Sequence, residues 1–398
     1  MGLYVQDWIE LIARWFHVIV GAAWIGTSFY FNWLNNNLRP PENQGGGDGV
    51  GGELWAVHGG GFYRILKYKT APEKLPATLH WFKWEAYLTW VSGVSLLCLV
   101  YYFGSDGMLL PGDVTDFPKA VVAGIGFGSL IGGWLVYDLL CKSPLKTKPA
   151  LVTGLCAIGL IGAAYGFCQI MGARAAFIHV GAMMGTCMAA NVFFVIIPGQ
   201  RAMVDAMERG DEPDPARGKA GALRSLHNNY FTLPVLFIMV SSHYPMTYGH
   251  PLNWVLLVLI SVAGAATRHW FNLRGQGHKN AYLLPIAAVA MFAAAFIAKP
   301  DVAEFEGERV SFSTDVMPII QARCTPCHAQ KPTWVGYTAP QGGVLLETSQ
   351  QIQAQAQKIL QNAVMTNYMP LGNLTKITDE ERQLLGRWVR SGAQVDKP

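Results

Sequence analysis

Residues 174–198 read RAAFIHVGAMMGTCMAANVFFVIIP, and their single charge is Arg174 at the leading edge. A run of about 20 such residues, rising 1.5 Å each, spans the ~30 Å hydrocarbon core of a bilayer as one helix. Hydrocarbon offers no partner to free N–H and C=O groups, so the segment has to close its hydrogen bonds internally. Seven more stretches share this texture, at 8–35, 85–103, 118–140, 150–171, 229–247, 252–271 and 281–298. Pro234 and Pro245 interrupt the one at 229–247, whose ends are also polar. The expected fold is all-α, beginning with a polytopic membrane bundle of about eight transmembrane helices.

The composition agrees. Of 398 residues 51% are hydrophobic and 14% charged, with a mean hydropathy of +0.24. Soluble domains carry about 25% charged residues, which excludes an ordinary cytosolic enzyme and a disordered chain. A net charge of +4 is too small to imply a nucleic-acid partner; the lipid bilayer is the partner expected. Met1–Glu10 lack the basic region and cleavage site of a signal peptide, so the first apolar segment reads as a retained helix. The connections at 36–84, 141–149, 199–228 and 268–280 hold 6, 3, 5 and 3 lysines and arginines, while the opposite set holds only Lys119 and Arg174. The positive-inside rule puts the first set in the cytoplasm and both termini in the periplasm of a bacterial inner membrane.

Past Lys299 the texture changes. Residues 300–398 hold 9 basic and 10 acidic residues and no long apolar run, so the chain divides into a membrane domain, 1–299, and a small all-α periplasmic domain, 300–398. Thr378 followed by Asp379, Glu380 and Glu381 is an N-cap with an acidic first turn, ahead of Leu384, Leu385, Trp388 and Val389 on one helical face. Cys324-Thr325-Pro326-Cys327-His328 is the attachment signature of haem c. Two thiols one turn apart can add to the two vinyl groups of a porphyrin, and the adjacent imidazole can ligate its iron. Methionine is a common sixth ligand, and Met369 before Pro370 has the spacing for it, ahead of Met365 and Met317. A zinc site would need a second ligand pair, and none follows. Cys98, Cys141, Cys156, Cys168 and Cys187 lie in or beside apolar spans and read as small hydrophobes.

Polar residues in the spans are the remaining signal, because ionisable groups in hydrocarbon are expensive. His17 and His179 begin similar passages, His17-Val18 before Gly26-Thr27 and Asn32, and His179-Val180 before Gly185-Thr186 and Asn191. Both helices start outside, so the two imidazoles share a depth, and a haem b held between them is the expected second cofactor. The ordinary reading of the neighbouring glycines is helix packing. His80, His227 and His269 gather at inner helix ends with Arg224, Asn228, Asn229 and Arg268; taken singly, each is as readily an interfacial anchor. His243 and His250 form a second group at the outer end.

RSLHNNYFTLPVLFIMVSSHYP from Arg224 resembles the membrane-bound bacterial urate oxidase family, in which an eight-helix membrane domain joins a C-terminal cytochrome c. LWAVHGGGFYRILKY from Leu54, LHWFKWEAYLTWVSG from Leu79 and HVGAMMGTCMAANVFFVIIPGQR from His179 share the likeness, which covers essentially the whole chain. The resemblance implies oxidation of urate to 5-hydroxyisourate, with water supplying the oxygen and cytochrome c taking the electrons. His227 or His269 would then be the catalytic base, with Arg224, Arg268, Asn228 and Asn229 binding the urate anion. A downstream respiratory oxidase or soluble cytochrome c would accept the electrons. The competing class is a respiratory subunit that moves electrons between quinol and cytochrome c.

Overall fold

The computed structural model describes residues 2–41, 49–110, 117–299, 310–335, 337, 339–366 and 368–396. The expected boundary at 299/300 falls at the edge of these, since 300–309 lie outside the described residues.

All eight apolar stretches are helical. They are α1 (Gly2–Asn37), α2 (Trp84–Leu97, continued by a π turn to Tyr102), α4 (Lys119–Lys142), α5 (Pro149–Ile170), α6 (Ala173–Asn191), α8 (Pro215–Ser241), α10 (Asn253–Gly275) and α11 (Leu283–Ile297). Short α3 (Asp106–Leu109) and α9 (Pro245–Tyr248) close loops, and α7 (Ile197–Glu208) extends α6 through a π turn. Five of the described helices are long and apolar enough to cross a membrane, namely α1, α4, α5, the α6–α7 rod and α10. α11 is apolar but shorter. α8 starts well before the expected 229 because Pro215 occupies its first turn and the Asp214 carboxylate caps it, accepting from the Ala216 N–H at 2.9 Å. This puts the Arg224–Asn229 run inside a helix.

The all-α expectation needs one correction. Val50–His58 (β1) and Gly61–Tyr68 (β2) form an antiparallel hairpin. Its two-residue turn places Gly59 and Gly60 at φ +57° and +82°, the paired positive φ that a type I′ turn demands. Glu53 ties the strands by accepting from the Arg64 guanidinium at 3.0–3.1 Å and from the Trp55 indole at 2.7 Å.

α6 is the axis of the bundle. Its Phe177, Val180 and Met184 pack with Val122, Leu130, Phe167, Ile238 and Leu257 from α4, α5, α8 and α10. Small residues permit the close approach: a Cβ on Gly133 would stand 2.7 Å from Met183, and one on Gly181 would stand 2.7 Å from Ile238. The outer faces carry bulky apolar groups, with Trp15 68%, Leu139 67%, Phe292 76% and Phe296 80% exposed. Contiguous surfaces of that kind mark contact with lipid or protein rather than water.

The tail builds its own core from Phe312, Val316, Ile320, Ile352, Leu385 and Trp388. Its elements are a π turn (Phe312–Val316), α12 (Met317–Arg323), α13 (Ser349–Ala354), α14 (Ala356–Ile359) and α15 (Asp379–Arg390). α15 opens on the expected Thr378–Glu381 capping box, and Glu381 also accepts from Arg323 of α12. The tail rests on one end of the bundle. The Tyr337 and Ser105 hydroxyls are 3.0 Å apart, the Tyr368 and Tyr248 rings are 5.2 Å apart, and Leu371 and Leu374 cover Gly107.

Candidate functional site

The inner polar residues resolve into two networks. In the first, Arg224 and Asp138 form an ion pair at 2.6 Å, 4% and 6% exposed. The other oxygen of Asp138 meets Lys142 at 2.6 Å. Arg224 also donates to Asn191 Oδ1 at 3.3 Å, and the Asn191 side-chain amide donates to Asn228 Oδ1 at 2.9 Å and to the Tyr137 hydroxyl at 3.1 Å. Asn228 in turn donates to the Met188 carbonyl, and Tyr137 meets His227 Nδ1 at 2.8 Å. The Arg224 charge is thus compensated inside the protein. An anion would have to displace Asp138 to use it.

The second network is less complete. Arg268 Nε donates to Asn229 Oδ1 at 2.7 Å, Asn272 donates to the same oxygen at 3.1 Å, and the Arg268 guanidinium lies 4.2 Å from the Phe29 ring centre. No carboxylate pairs with Arg268 among the described residues. The Asn229 amide nitrogen is buried with no partner, a state that usually marks a missing ligand or water. His269 Nδ1 meets the Tyr230 hydroxyl at 2.6 Å.

Toward the end of the bundle that meets the tail is a cavity of about 370 Å³ between α1, α2, α6 and α8. His17, Trp24, Trp90, Arg174 and His243 line it, and Met188 and Thr232 join it to the inner networks. His179 does not line it. That ring is fully buried, with Nδ1 2.8 Å from the Ala175 carbonyl and Nε2 3.0 Å from the Tyr102 hydroxyl. His17 lines the cavity and His179 does not, so the structure does not bring the expected pair together around it.

In the tail, α12 ends at Arg323 and the next residues wind tightly. The Cys327 and His328 N–H groups both donate to the Cys324 carbonyl, at 3.1 and 3.0 Å, which gathers two thiols and an imidazole on one turn. His328 Nδ1 meets the Val344 carbonyl at 3.2 Å, leaving Nε2 for a metal, the arrangement typical of ligating histidines. Burial holds this imidazole below its usual range, in the neutral form a metal needs. Burial also pushes the Cys324 thiol up to about 12. Met369 and Cys324 pack on the same core, and Arg382 donates to the Met369 carbonyl at 2.7 Å. Among the described residues no three His, Cys, Asp or Glu converge as for a bare ion, so the donor set fits a porphyrin iron better than zinc.

A model of the urate oxidase N-terminal family matches residues 3–299. The chain belongs to that family. No curated protein and no solved structure matches it. The family match covers the bundle, both inner networks and the cavity, and it ends before the tail.

Of the expected site residues, Arg224, Asn228 and His227 share one network, and Arg268 and Asn229 share the other, with His269 beside it. Reading the sequence missed Asp138, Asn272, Tyr137 and Tyr230. Asp138 carried the clearest signal, a carboxylate near the end of an otherwise apolar span.

Proposed function

We propose that this chain is a membrane urate oxidase that converts urate to 5-hydroxyisourate and passes the electrons to its own cytochrome c tail. Membership of the urate oxidase N-terminal family carries this reading. Further support comes from a tail whose Cys324, Cys327, His328 and Met369 fit a covalent haem and which rests on the bundle. The bundle positions it touches, Ser105, Gly107 and Tyr248, lie in segments that lysine and arginine avoid, as a periplasmic face would.

The reaction balances as urate plus water giving 5-hydroxyisourate, two protons and two electrons. Arg268 would hold the urate anion through its guanidinium N–H groups, since no carboxylate among the described residues pairs with it. The orphaned Asn229 amide would donate to a urate carbonyl. His269, held by Tyr230, would take the proton as the general base. The Arg224–Asp138 network is assigned a positioning part: it fixes Asn228, and with it the α6–α8 contact beside Asn229. Haem c, when bound, supplies a one-electron acceptor.

The test is reduction of haem c in anaerobic, oxidised membranes. Urate should reduce it and a quinol should not. Reduction by quinol alone would assign the chain to quinol–cytochrome c electron transfer.

A further inference from the structure

We propose that the cavity between α1, α2, α6 and α8 is a haem b site, with His17 and His243 as axial imidazoles and Arg174 and Arg14 as partners of the propionates. Its volume of about 370 Å³ lies within the range of cofactor pockets. Its wall is mainly aliphatic and aromatic, and glycines leave room along it. A Cβ on Gly185 would meet nothing within 4 Å, and one on Gly21 would meet only Thr89, at 3.9 Å. Such a space suits a flat apolar ring. It suits urate poorly, because urate presents polar atoms on every edge and each would need a partner.

The hydrogen bonds around His17 set its tautomer. Ser92 Oγ donates to the Leu88 carbonyl at 2.7 Å, so its proton is already used. The 2.9 Å contact between Ser92 Oγ and His17 Nδ1 therefore has His17 donating. That leaves a bare lone pair on His17 Nε2, the state of a metal-ligating imidazole whose other nitrogen is anchored. His243, in the turn after α8, is exposed at the edge of the helix end and lines the same cavity.

The anion partners stand on the periplasmic side by the charge reading. Arg174 lines the cavity; Tyr101 and Tyr368 hydrogen-bond its guanidinium, and its Nε stays buried without a partner, open to a carboxylate. Tyr101 and Tyr368 lie beside the same guanidinium, and Tyr368 precedes Met369. Arg14 also lines the cavity and shares its charge with Glu10. A ring held here would lie between the inner networks and the tail. Its place in the path rests on the proposed urate reaction: each of the two electrons would reduce its iron from ferric to ferrous and pass on to the ferric iron of the tail. Its binding does not rest on that reaction.

The test is a haem count on the purified full-length protein from a haem-replete bacterial host. Pyridine haemochrome spectra before and after acid–acetone extraction separate the extractable b-type haem from the covalent c-type. Wild type should show one of each. His17→Ala and His243→Ala should lose the b-type and keep the c-type, while His179→Phe should keep both. Ser92→Ala, a milder change, should weaken b-type retention ~10- to 100-fold, as loss of such an anchoring bond typically does. Imidazole added to His17→Gly should restore the b-type spectrum, which separates ligation from failure to fold. A wild-type spectrum with c-type haem alone overturns the inference, as does loss of b-type haem in His179→Phe with retention in His17→Ala. A b-type haem that urate fails to reduce leaves this site standing and refutes the urate reaction instead.

Discussion

Replacing Asp138 with alanine removes the only carboxylate that meets Arg224 among the described residues, deep in the bundle. Both partners are nearly inaccessible, so water cannot take over the lost contact. Lys142 also uses Asp138, but its side chain is 66% exposed and can be solvated instead. Removing one member of a buried ion pair costs about 3–5 kcal/mol, mostly from the stranded charge. At ~2–4 °C per kcal/mol, the melting temperature should fall by roughly 6–20 °C. The assay is thermal denaturation of the detergent-purified protein followed by tryptophan fluorescence. The double variant Asp138→Leu with Arg224→Met removes both charges and should recover most of the loss. Its urate KM should stay near wild type, because Arg224 is assigned to architecture. A melt of Asp138→Ala within about 2 °C of wild type would refute the ion-pair account. A KM raised ~10- to 100-fold in the stable double variant would return Arg224 to the substrate.

Arg268→Ala should lower kcat/KM for urate ~10- to 100-fold, the loss of a charged hydrogen bond of about 1.5–3 kcal/mol, with little change in melting temperature. Steady-state kinetics on purified protein check this. Cys324→Ser should remove haem staining from denaturing gels. Met369→Ala should keep the stain but lower the haem potential, and survival of the methionine–iron absorption band in that variant would reassign the ligand.

Helices were legible in the sequence because their signal is local: apolar runs mark α1, α4, α5, α6 and α10, and Thr378 to Glu381 marks the start of α15. The gathering of Cys324, Cys327 and His328 was legible for the same reason, since Cys324 to His328 form one turn. The hairpin also had a local signal, Gly59-Gly60 between strand-forming residues, but the Val50–Tyr68 stretch lies in what reads as a basic connection. Rotation about the helix axis was not legible. His179 and His17 are expected at one depth, yet the π turn packed beside α6 brings Tyr102 to His179, and only the packed bundle sets that contact. Partner choice at long range was hidden as well, since Arg224 and Asp138 are 86 residues apart and Arg268 and Asn229 are 39 apart.

The central claim is that urate's electrons leave through the tail while water supplies the oxygen. The most direct measurement is an anaerobic titration of the oxidised, purified protein with urate in ¹⁸O-labelled water, following haem reduction and the mass of the product. The account predicts two electrons delivered per urate and one labelled oxygen in 5-hydroxyisourate. Product formed only when dioxygen is admitted, carrying unlabelled oxygen and leaving the haem oxidised, would contradict it.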